Sequence, residues 1–159
     1  MHWVKLIWFA VAGLMLMPGA VMAENVLKPG FKECVAGARN AEALTTCITD
    51  AQASCQQYEW GDPAVGSCFK SARAEWGIAM GEFLAQFSQA GDRVVETIQI
   101  EAKYAVLKHM MSCDRQLELR AVGREPDARD EEIRIACQAT ASASALAEVM
   151  IRSGSIAPQ

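Results

Sequence analysis

The chain has 159 residues, 52% of them hydrophobic, with 15 basic and 19 acidic side chains and a formal net charge of −4. That length fits one ordinary domain and is enough to bury a core. The acidic balance argues against nucleic acid, which wants a basic face, and is compatible with a cationic protein partner.

The first 23 residues read as a cleavable secretory signal. Lys5 is their only formally positive side chain, and no acid precedes Glu24. Leu6 to Met17 is an apolar run, Pro18 and Gly19 end it, and Val21-Met22-Ala23 offers small residues to a signal peptidase. The run is well short of the roughly 20 apolar residues that span a bilayer, so no stable membrane anchor is expected after cleavage. Cleavage after Ala23 would leave residues 24–159 as a single domain, with its core at about 31–152, and a periplasmic or secreted protein. Loss of Lys5 moves the net charge to −5.

All six cysteines, Cys34, Cys47, Cys55, Cys68, Cys113 and Cys137, follow that signal. An even number behind an export signal reads as three disulfides. The nearest two, Cys47 and Cys55, lie eight apart, and no C-x-x-C occurs, which disfavours a zinc site and thioredoxin-type chemistry. Six cysteines allow 15 connectivities. Proximity along the chain favours Cys34–Cys47, Cys55–Cys68 and Cys113–Cys137 without excluding the rest.

Phe31 to Tyr58 reads as one or two short helices around Asn40. Gln57 to Ser67 is the clearest loop, and a Cys55–Cys68 bridge would staple its base and present Tyr58, Glu59, Trp60 and Asp62. No proline lies between Pro63 and Pro126. Phe69, Ala72, Trp76, Met80, Phe83 and Phe87 recur at helical spacing, predicting a helix from about Val65 to Ser88. A second is predicted from Val94 to Leu119, with Val95, Ile98, Ala102, Val106, Met110, Cys113 and Leu117 inward. After a polar loop at 123–128, Asp130, Glu131 and Glu132 suit the positive end of a third helix. That helix is expected to turn Ile133, Cys137, Thr140, Ser144, Ala147 and Ile151 inward. The fold class is therefore all-α: an antiparallel bundle of three longer helices and one or two short N-terminal ones.

Few residues invite chemistry. His109 is the only histidine outside the signal, and no G-x-S-x-G elbow occurs. Glu59 with Asp62, or Asp130 to Glu132, could be paired as acid and base. Loop solvation and helix-terminal charge account for them as well. His109 with Met110 and Met111, near Cys113, suggests a remote copper-carrier alternative on soft-ligand grounds. An oxidised Cys113 cannot serve as a thiolate, and His109 also reads as a partly exposed histidine beside core methionines. No catalytic residue, metal or cofactor is expected. Trp76 reads as core, and loop residue Trp60 as a contact candidate.

The early cysteine cluster, Glu75-Trp76, Cys113-Asp114 and Cys137-Gln-Ala-Thr140 together resemble the LprI-like lysozyme inhibitor N-terminal domain family of exported bacterial proteins. The resemblance spans about Phe31 to Ile151 and rests on cysteine order and helix layout. It departs after Trp76: Gly77, Met80, Gly81 and Leu84 keep the apolar positions but lack the family's Asp, Asn and Tyr. Its Trp and Arg-Asp pair are missing from Ala105 to Cys113 as well. The resemblance implies a non-enzymatic inhibitor that occludes the cleft of a lysozyme or another cell-wall hydrolase. The alternative is a helical binding or immunity protein for a different protein partner.

Overall fold

The computed structural model describes residues 30–125 and 127–156, without the side chains of 155 and 156. The signal assigned to residues 1–23 lies outside them. The described residues form helices joined by loops, with no strand, as the sequence predicts. Three short helices, α1 (Phe31–Gly37), α2 (Ala41–Ala51) and α3 (Ala53–Gln56), stand where one or two are predicted, and three long ones follow, α4 (Pro63–Ala85), α5 (Asp92–Ala121) and α6 (Ala128–Ile156). Pro63 opens α4, so the predicted loop ends at Asp62 rather than Ser67.

Local chemistry sets the boundaries. Asn40 accepts a hydrogen bond from Ala43 N at 2.8 Å, which starts α2 by satisfying an otherwise orphaned first-turn amide. Asp62 does the same for α4 through Ala64 N at 2.8 Å, and Pro63 follows at the first helical position, where its missing N–H costs nothing. Before α6, Asp127 and Asp130 bond each other's backbone amides at 3.0 Å.

α6 is the middle helix. α4 and α5 pack on it rather than on each other, and α1 and α2 close over part of it. One side of α6 turns Ile135 and Ala139 to Val65 and Phe69 of α4. The other side meets α5 through the Cys113–Cys137 bridge. Ala139, Ala141, Ala143, Ala145, Leu146, Ala147 and Val149 are all buried. Alanine has no side chain beyond Cβ, so both neighbours can approach closely.

The inward stripes predicted for α4 and α5 hold: Phe69, Trp76, Phe83, Ile98, Ala102 and Cys113 are buried. The stripe predicted for α6 does not. Of its six residues only Ala147 is fully buried; Thr140 and Ile151 are exposed, while Ile133, Cys137 and Ser144 are half-buried. A template with one buried face cannot describe a helix covered on two sides.

The disulfides join Cys34 to Cys47, Cys55 to Cys68 and Cys113 to Cys137, with Cα separations of 5.8, 5.5 and 5.8 Å. They tie α1 to α2, α3 to α4 and α5 to α6, and their formation needs an oxidising compartment. Trp76 packs on Phe31 with ring centroids 4.8 Å apart, fastening α1 to α4. No helix among the described residues is long and apolar enough to cross a membrane.

Candidate binding site

Gln57 to Asp62 links α3 to α4 and is braced at three points. The Cys55–Cys68 bridge closes its base. Asp62 caps α4, its Oδ1 accepting from Ala64 N at 2.8 Å. Gly61 takes φ +101°, which suits a residue without Cβ, and its N–H donates to Glu132 Oε2 of α6 at 2.9 Å. Held this way, the loop leaves Tyr58 37% and Trp60 48% exposed, with Glu59 exposed between them. All four residues singled out from sequence are exposed, and Asp62 is in addition the cap of α4.

Trp60 borders a cleft along α6. This groove, of about 650 Å³, runs between the α3–α4 loop, α5 and α6, and its lining includes Gln52, Gln116, Arg120, Arg129 and Thr140. Another, of about 430 Å³, lies between α2, α5 and α6 and contains Lys108, His109, Glu148 and Arg152.

These last four form a charge cluster that sequence spacing does not show. Glu148 Oε2 accepts from Lys108 Nζ at 2.8 Å and lies 3.0 Å from His109 Nε2. Glu148 Oε1 accepts from Arg152 Nη2 at 2.9 Å, and Arg152 Nη1 reaches Glu101 at 2.8 Å. Burial acts to raise the Glu148 pKa, but hydrogen bonds from Lys108 and His109 and the charges of Lys108 and Arg152 outweigh it. The carboxyl is held below its ordinary range. Asp130 is likewise lowered, by hydrogen bonds from the Arg124 side chain and the Asp127 backbone.

His109 thus works as a bridge from α5 to α6. Met110 and Met111 do not join it: successive residues on a helix point about 100° apart. Met110 is half-buried and Met111 is 67% exposed, so the three side chains point in different directions. With Cys113 in a disulfide, a common copper site has no convergent ligands here. Among the described residues, no group of three or more His, Cys, Asp and Glu is placed to hold a metal ion.

The outer face of α5 carries a feature the sequence reading passed over. Ile100, Tyr104, Leu107 and Met111 step by 4, 3 and 4, and they are 46%, 65%, 46% and 67% exposed. This spacing puts them on one apolar stripe opposite the buried face of the same helix. The signal was present in the periodicity, but the inward stripe had already explained the helix.

No family model, curated protein or solved structure matches this chain.

Proposed function

We propose that the protein is an exported, non-catalytic binding module that inhibits a lysozyme or another cell-wall hydrolase by inserting its braced loop into the enzyme's cleft. The observation that carries this reading is the loop itself. Tyr58 and Trp60 stay exposed although a disulfide, a helix cap and the Gly61–Glu132 bond hold the backbone beneath them. A pre-ordered loop loses little conformational freedom on docking, and exposed aromatic residues are the common anchors of interfaces. The net negative charge of the chain would speed encounter with a cationic enzyme. The cysteine order and helix layout shared with LprI-like proteins support the choice of target. The three disulfides support a periplasmic or secreted location. All six cysteines are bonded and His109 is engaged with Glu148, which supports a binding role over catalysis.

The test is muramidase activity measured with several types of lysozyme and rising amounts of the disulfide-bonded protein. Inhibition is expected at micromolar protein, with Trp60→Ala weakening it about tenfold or more and leaving Tm unchanged. No inhibition of any type at micromolar excess rejects the reading.

The α5 stripe favours the alternative, capture of another protein partner, in which a helix of that partner lies along Ile100, Tyr104, Leu107 and Met111. Tyr104→Ala with Leu107→Glu would then abolish complex formation while Trp60→Ala leaves it intact.

A further inference from the structure

The groove beside Trp60 has a lining at odds with the rest of the molecule. The chain is acidic overall, yet no Asp or Glu lines this groove, whereas Arg120 and Arg129 both do. Arg129 has no ion-pair partner among the described residues, and Arg120 interacts with Asp130 through charge alone. The half-exposed ring of Trp60 lines the same groove.

The third element is Gln52, which is only 2% exposed. Its Oε1 accepts from Thr140 Oγ1 at 3.1 Å, and both residues line the groove, Gln52 also bordering a smaller cavity of about 140 Å³ beside α4. Its Nε2 has no partner. Exchanging the two amide atoms would only transfer the deficit to the oxygen. A buried amide left half-satisfied is disfavoured unless something supplies the missing bond.

We propose that this groove binds a saccharide carrying a carboxylate. Trp60 receives the apolar face of a sugar ring, Gln52 and Thr140 serve its hydroxyl or acetamido groups, and Arg120 and Arg129 take the carboxylate. Arginine suits that role because its planar fork can match a carboxylate with two parallel hydrogen bonds. A bare inorganic anion would use the arginines and leave Trp60 and Gln52 idle. A neutral sugar would do the reverse. The volume of about 650 Å³ is within the usual range for small-molecule sites. This proposal does not depend on the hydrolase reading, because it concerns direct binding of a small ligand by the protein alone.

Calorimetric titration of the disulfide-bonded protein provides the test. The acidic probes are a galacturonic acid trimer and a disaccharide of N-acetylglucosamine and N-acetylmuramic acid; the controls are the methyl-esterified trimer, N-acetylchitotriose and inorganic phosphate. At least one acidic probe should bind about tenfold or more tightly than the neutral sugars and phosphate, and which one binds distinguishes a uronic from a muramic source. Arg129→Gln and Trp60→Ala, both at exposed positions, should each weaken it about tenfold. The proposal is overturned if neither acid binds at millimolar concentration. It is equally overturned if the neutral sugars or phosphate bind as tightly, or if either substitution leaves affinity unchanged.

Discussion

Glu148 is where α5 and α6 exchange most charge, and its surroundings explain why a carboxylate with a side chain only 17% exposed stays ionised. Three basic side chains approach its two oxygens, so its folded-state pKa lies below the ordinary value of 4.5. A depressed carboxylate pKa stabilises the folded state above the unfolded value, and that stability is lost as pH falls through the folded one. Glu148→Gln keeps the shape and removes the charge. Its expected cost at pH 7 is about 1 kcal/mol, a discounted figure because Lys108 and Arg152 are themselves largely exposed. In a domain of this size that is a Tm drop of about 3–5 °C. Melts followed by circular dichroism at pH 7, 4.5 and 3 should show the gap between wild type and variant closing as pH falls. A gap that stays constant would mean the charge is not its source.

Among the elements, α6 decides the most. Ala139, Ala143, Ala145 and Ala147 are fully buried because two long helices cover this helix from different sides. Larger side chains there would push α4 or α5 away. Ala143→Leu is expected to cost about 2–3 kcal/mol by overpacking, and Ala143→Ser clearly less. Denaturant titration of both variants checks this, and equal losses would show that polarity rather than volume matters at the site. α5 differs in kind: its inner face joins the core, while its outer face keeps four large apolar residues in water. Solitary exposed apolar side chains are ordinary, but four at helical spacing form a surface of the sort that partners cover.

For the whole molecule, the three disulfides divide their work. Cys113–Cys137 joins two long helices across 24 residues, and the other two bridges each close 13. Converting Cys113 and Cys137 together to serine should lower stability by about 3 kcal/mol, mostly by releasing the unfolded chain. The Cys55→Ser/Cys68→Ser pair should also be less stable, but it should in addition lose binding through Trp60 at temperatures where it remains folded. Binding assays at 10 °C beside thermal melts separate the two effects. Intact binding in the second variant would show that the loop does not depend on its staple.

The residue pattern alone determined a good deal. The spacing of Phe69, Trp76 and Phe83, and of Ile98, Ala102 and Cys113, specifies two helices and their buried faces, because helical periodicity is a local property. Cysteine proximity pointed to the pairing that the structure shows, and the loop at Tyr58 to Trp60 was legible from its composition. Tertiary structure decided the rest. Whether α6 is buried on one side or two depends on where α4 and α5 lie, which no local period records. The Glu148–His109 contact spans 39 residues, Gly61–Glu132 spans 71, and Gln52–Thr140 spans 88. Such pairs exist only once the helices have packed in register, so the charge cluster, the bracing of the loop and the lining of the groove follow from the fold.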